Sequence, residues 1–312
     1  MIRVFFIFLI LPAFSYSQIS YTLGDSRGMI YDLVIQREKG LLAIIQGKNK
    51  VELWNYREKS LLMYYEENSK VNGIDLYNNH LTIALSDGSI QLINTETDND
   101  KISLSVSANP LIKIKEVDNQ NLVTLDSKGN MFFVGIDSTL SVKKQIITSK
   151  RINSMDVIPE KNILITGDNK GEVCLWSIEN YQLLNTDIIH KKRIFFNITY
   201  FPENQNILFS TDHGEIIQCK LNGLQLFVMN IFRIEGWATD CDMKNNIIAA
   251  GSSNGSVKIF YDFGVYKYKT KAMVNKIAII PDNFPYFQIA LATHGSGLLI
   301  ISSMDMKNKS NF

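Results

Sequence analysis

Little in this 312-residue chain announces chemistry. It holds three cysteines, Cys174, Cys219 and Cys241. Their number is odd and their spacing matches no zinc pattern. All three fall within apolar, strand-like segments, so they read as buried free thiols acting as small hydrophobes. The four histidines, His80, His190, His213 and His294, include no pair at metal-ligand spacing. There is no glycine-rich phosphate loop and no Gly-x-Ser-x-Gly elbow. The net charge is +1, so the excess of positive charge that nucleic acid draws on is absent. No stretch reaches the roughly 20 apolar residues of a bilayer span. No window shows a helical apolar stripe. No cofactor, metal site or catalytic residue is expected on these grounds.

The start of the chain has a different character. Arg3 is the only charge before Asp25, and Val4 to Leu11 is an unbroken apolar run. Pro12 and the small or polar stretch Ala13 to Gln18 follow. A basic start, a short apolar core and small residues at Ser15 and Ser17 are the three parts of a secretory signal. Residues 1–17 are therefore expected to be a signal peptide cleaved before Gln18. Export to the periplasm or the extracellular space would follow.

The remainder repeats itself. Gly171-Glu172-Val173-Cys174-Leu175-Trp176 pairs a turn glycine with alternating residues and ends on an aromatic. The pattern recurs from Gly88, Gly129, Gly214, Gly255 and Gly297, and from Asn49 in the copy Asn49-Lys50-Val51-Glu52-Leu53-Trp54. Consecutive anchors stand 39 to 43 residues apart. A period near 40 with alternation of period two predicts propeller blades of four strands. In the fourth unit the predicted strands are Ile152 to Ile158, Ile163 to Thr166, Glu172 to Ile178 and an outer one from Tyr181 to Thr186. Turns fall at Pro159-Glu160-Lys161-Asn162 and Gly167-Asp168-Asn169-Lys170, where proline and glycine cost least.

On these residues the chain resembles the WD-repeat family. Trp54 and Trp176 stand where the family's tryptophan stands, and Asp87 stands where its turn aspartate stands. The resemblance runs from about residue 18 to residue 303, leaving 304–312 as a short polar tail. It implies an all-β, seven-bladed propeller of four-stranded antiparallel blades. The last blade lacks a fourth strand at its own end, so the segment Gln18 to Leu23 is expected to supply it and remove an open edge. No copy carries the Trp-Asp pair, and Lys48, Lys128, Lys170, His213, Asn254 and Ser296 replace the turn aspartate. The hydrogen-bond network of typical repeats is therefore expected to be mostly absent, with packing between blades taking its place.

Two candidate sites emerge. Asp32, Asp75, Asp156 and Asp240 recur along the innermost strand at what reads as one register, interrupted by Thr199 and Ala278. They fit either a structural feature of the repeat or a cation site at the channel. The turns on one face gather Arg27, Lys70, Lys150, Arg151, Lys192, Arg193, Glu235, Trp237 and Lys276, with Lys48, Asp87, Lys128, Lys170 and His213 from a second set of turns. Of these, Arg27, Lys70, Arg151, Lys192, Arg193, Trp237 and Lys276 are the candidate partner-binding residues, because Arg and Trp anchor interfaces and a basic patch attracts an acidic segment. The resemblance implies a non-catalytic, monomeric scaffold for protein partners. The alternative is a propeller enzyme or a small-ligand or metal binder, lactonase-like or sugar-binding, with its site at the channel mouth.

Overall fold

Seven sheets follow one another along the chain, each of four antiparallel strands, and together they close a ring. This is a computed structural model, and it describes residues 21–23, 28–97, 100–261, 264–281 and 287–302. The signal-peptide segment, Arg27 and the tail at 304–312 lie outside the described residues. Strands are lettered A to D from the channel outward. The A strands are Ile30–Gln36, Val71–Tyr77, Leu111–Asp118, Ile152–Ile158, Phe195–Phe201, Ala238–Lys244 and Val274–Pro281. Among the described residues the one helical turn is Pro159–Lys161, and no helix is long and apolar enough to cross a membrane.

The B strands explain why alternation is hard to see in parts of the sequence. Strand Leu41–Gln46 is buried on both faces, because a neighbouring blade covers each side. Leu42 and Ile44 pack toward blade 7, whereas Leu41, Ala43 and Ile45 pack toward blade 2. Among the described residues seven such clusters lie one between each pair of adjacent blades. Each fully buried Ile or Leu contributes on the order of 1.5–3 kcal/mol. Cys174, Cys219 and Cys241 are free and buried within these clusters, as expected. Burial pushes the Cys219 thiol up to about 12.

The expected closure is present. Tyr21–Leu23 pairs with Leu298–Ser302 as the fourth strand of blade 7, in the register Leu23 to Leu298. Leu23 is buried between blades 7 and 1. A side-chain clasp spans the same seam: the Arg37 guanidinium donates to Ile279 O at 3.0 Å and pairs with Asp242 of blade 6.

Strand boundaries in the fourth unit differ modestly from expectation. The B strand runs Ile163–Asp168, so Gly167 and Asp168 belong to the ladder rather than to the turn. The outer strand is Leu183–Ile188, two residues later than expected. The larger correction concerns the turns between strands B and C. In blades 3 to 6 they do carry side-chain caps, moved to a position three residues before the glycine. Asp168 Oδ1 accepts the N–H groups of Lys170 and Glu172 at 2.8 and 2.9 Å. Asp126 does the same for Lys128 and Asn130, Thr211 for His213 and Glu215, and Ser252 for Ser256. Short oxygen-bearing side chains are suited to this local bond, so Asp, Thr and Ser substitute for one another. The residue just before the glycine also caps in blade 6, where Asn254 Oδ1 accepts the Ser256 N–H at 2.9 Å, and in blade 2, where the Asp87 carboxylate accepts from Ser69 Oγ and from the N–H and Oγ of Ser89. Burial opposes it, but these bonds hold the Asp87 carboxyl below its ordinary range.

Trp54 and Trp176, the two tryptophans at the repeat position, pack within the fold. Trp176 is buried between blades 3 and 4 and donates to Thr166 Oγ1 at 3.0 Å. Trp54 is half-buried against the seam of blades 7 and 1 and donates to Glu52 Oε2 at 2.8 Å.

Candidate functional site: the channel mouth and its wall

One hydrogen bond is repeated seven times and builds a face. In every blade an N–H of the turn between strands B and C donates to the carbonyl of the residue just before strand A. The acceptors are Met29, Lys70, Pro110, Arg151, Ile194, Trp237 and Met273, at 2.8 to 3.2 Å. Both sets of turns therefore lie on one face, as the sequence predicts, and those seven residues form a rim. The rim has two arcs. Blades 6, 7 and 1 present Trp237, Met273 and Met29, which are 57%, 37% and 40% exposed. Blades 2 and 4 present exposed Lys70 and Arg151. The Trp237 ring rests on Phe196 with centroids 5.8 Å apart. Lys70 Nζ lies 5.8 Å from the centroid of the Tyr31 ring.

The expected partner-binding residues do not all share that surface. Lys70, Arg151, Lys192 and Trp237 are exposed on it. Arg193 is instead engaged by Glu215 at 3.2 Å, and Lys150 pairs with Glu172. Lys276 is displaced furthest: it belongs to strand Val274–Pro281 and its side chain lines the channel, only 16% exposed. It was expected in the turn that enters the innermost strand, but that strand begins two residues earlier, at Val274.

The channel wall also corrects the acidic register. Each A strand has a bulge after its first residue, and the residues two and four beyond that first one form two stacked rings. The ring nearer the mouth holds Asp32, Lys113, Asn197, Asp240 and Lys276, with Gly73 and Ser154 between them. The second ring holds Asp75, Lys115, Asp156, Thr199 and Asp242, with Val34 and Ala278. Asp32 and Asp240 thus belong to one ring, Asp75 and Asp156 to the other. Asp156 and Asp240 both stand 15 residues before their turn glycine. Yet the turn from strand A to strand B has four residues in blade 4 and two in blade 6. Equal offsets conceal a two-residue shift.

These carboxylates have partners from neighbouring blades. Asp75 Oδ2 accepts Glu116 N at 2.9 Å, Asp156 Oδ2 accepts Tyr200 N at 2.7 Å and Asp240 Oδ2 accepts Ile277 N at 2.9 Å. Each bond ties one A strand to the next. Lysines complete the pairing. Lys115 Nζ lies 3.0 Å from Asp75 and 3.8 Å from Asp156, and Lys276 Nζ lies 3.4 Å from Asp240 and 4.0 Å from Asp32. Burial raises the Asp75, Asp156 and Asp240 carboxyls above their ordinary range, against the pull of the lysines. Burial also opposes the Lys115 and Lys276 ammoniums, but the adjacent carboxylates outweigh it and raise both. Behind the wall, burial pushes Glu116 up to about 9, and its Oε1 lies 2.7 Å from His80 Nδ1.

The acids that a cation site would need are therefore engaged by lysines and backbone amides. Among the described residues no group of three or more His, Cys, Asp or Glu side chains is arranged to hold a metal ion. Lys113, Lys115, Asp242 and Arg37 belong to the wall and carry no motif in the sequence. For Lys113, Lys115 and Asp242 the signal was the polarity of alternate A-strand residues, legible only once each strand start is known.

No protein-family profile and no curated protein matches the chain. Among solved structures it is similar to the β-propeller domain of Cps50 (Swd1) from Myceliophteria thermophila, with a TM-score of 0.79. The match covers 91% of this chain and 99% of that domain, at 13% sequence identity. At that identity the likeness carries the fold alone, and the chain is a seven-bladed β-propeller.

Proposed function

We propose that the protein is a non-catalytic interaction scaffold whose rim seats a segment of a protein partner. The observation that carries this reading is the divided rim: exposed Trp237, propped on Phe196, faces across the channel mouth the exposed cations of Lys70 and Arg151, which have no carboxylate partner among the described residues. An aromatic anchor beside cationic groups suits a segment with one apolar side chain and several carboxylates. The seven blades supply a stiff frame, and the turns can differ from blade to blade without disturbing the core. The channel acids give an enzymatic reading little support, because their charges are already paired.

Fluorescence anisotropy with a labelled ten-residue peptide of glutamates around a central leucine tests the rim. Trp237→Ala and the pair Lys70→Glu with Arg151→Glu should each weaken binding about tenfold or more. Binding that is indifferent to both changes rules out this face. We propose also that the protein is exported, on the strength of the three-part signal in residues 1–17. N-terminal sequencing of protein recovered outside the cytoplasm should begin at Gln18, and a chain that still begins at Met1 there refutes the cleavage.

A further inference from the structure

We propose that the ring nearer the channel mouth binds one small anion, a carboxylate or phosphate group, between the ammonium groups of Lys113 and Lys276. Both side chains line a single cavity of about 320 Å³ that runs through the channel wall. Lys115 and Lys276 each have a carboxylate within 3.4 Å. Lys113 differs: its ammonium has no hydrogen-bond or ion-pair partner among the described residues.

The position does not demand a lysine. The equivalent residues of blades 2, 4 and 5 are Gly73, Ser154 and Asn197, so the propeller closes with neutral groups there. Lys113 in fact opposes folding. The Lys276 ammonium beside it, with burial second, depresses its pKa to about 8. A side chain that costs the fold stability and finds no partner within it is suited to a ligand. An anion between the two lysines gives Lys113 an acceptor and screens it from Lys276.

The surroundings also set the ligand's charge. Asp32, Asp156 and Asp240 face Lys113. Asp75, with Lys115, and Asp242, with Arg37, complete the wall. The carboxylates would repel a dianion, so a monoanion is preferred. The group can arrive on a free small molecule or as a carboxylate of a partner segment reaching down from the rim. The site stands whether or not the rim reading holds.

Isothermal titration calorimetry at constant chloride, with sodium acetate and inorganic phosphate as probes, tests the proposal. Saturable binding is expected, at least about tenfold tighter at pH 6.5 than at pH 9.5 because Lys113 loses its proton between them. Acetate should outperform sulfate. Lys113→Met should abolish binding while raising the melting temperature, so lost binding cannot be ascribed to misfolding. Lys113→Arg keeps the charge and should bind without the pH dependence. Displacement of acetate by the acidic peptide assigns the anion to a partner, and failure to displace it assigns the anion to a free metabolite. Absence of saturable binding, or binding unchanged in Lys113→Met, overturns the site.

Discussion

The turns between strands B and C and the A strands of the channel wall are both repeated seven times, yet they use repetition in opposite ways. The turns solve one geometric problem with interchangeable parts. Asp126, Asp168, Thr211 and Ser252 all accept the N–H groups of their own turn, and the partners are two to four residues away. The channel wall solves a different problem at each blade. Asp75 is held by Lys115, 40 residues on, and Asp240 by Lys276, 36 residues on. A local device tolerates substitution because any short acceptor satisfies it. A wall of buried charge does not, because its carboxylates are held by particular groups of another blade.

The largest expected effect lies in the turns, at their glycines. A Cβ on Gly171 would sit 1.8 Å from His190 O, at φ +86°. Gly171→Val should cost about 3 kcal/mol or more, lowering the melting temperature by roughly 6–12 °C. Gly47 has φ +62° but nothing within 4 Å of the same position, so Gly47→Ala should cost only about 1 kcal/mol. Equal losses in thermal melts would mean that backbone strain, not the approach of the neighbouring loop, demands the glycine.

A smaller effect separates wall from turn. Asp240→Ala leaves Ile277 N–H without its acceptor and Lys276 without its nearest carboxylate, and should cost about 2–4 kcal/mol in urea denaturation. Asp168→Ala removes only a turn cap and should cost about 1 kcal/mol. Matching values would break the contrast between local and paired charges.

The smallest effect has the opposite sign. The folded pKa of Lys113 is about 8, below the ordinary 10.5 that the unfolded chain retains. The folded state therefore holds this proton more weakly than the unfolded state. Stability from that difference is fully present above pH 10.5 and is lost as pH falls through 8. Lys113→Met should accordingly be the more stable protein at pH 7, by about 1 kcal/mol after allowance for channel water. The advantage should vanish near pH 10.5 when melts are repeated across that range, and an advantage independent of pH would assign it to packing instead.

Much of the fold was legible because the anchors are local. Trp176 and the glycines announce a strand and its turn within six residues. The missing strand of blade 7 pointed to Gln18 to Leu23, and among the described residues Tyr21–Leu23 pairs with Leu298–Ser302. The turn caps were missed because the aspartate was sought immediately before the glycine, whereas Asp168 and Thr211 act from three residues before it. On the face, Lys70, Arg151, Lys192 and Trp237 were legible as exposed turn residues. The engagement of Arg193 was not legible, because its partner Glu215 lies 22 residues away at the start of the strand Glu215–Asn222.

The sequence by itself determined the number of blades, their strand order and the face on which the turns gather. Those features rest on backbone constraints that a few adjacent residues satisfy, so they leave a periodic trace. The tertiary structure alone decided the two rings of the channel, the pairing of their charges and the isolation of Lys113. Their partners come from different blades, and a two-residue change in one surface turn shifts a strand's phase without leaving any mark in the spacing of the repeats.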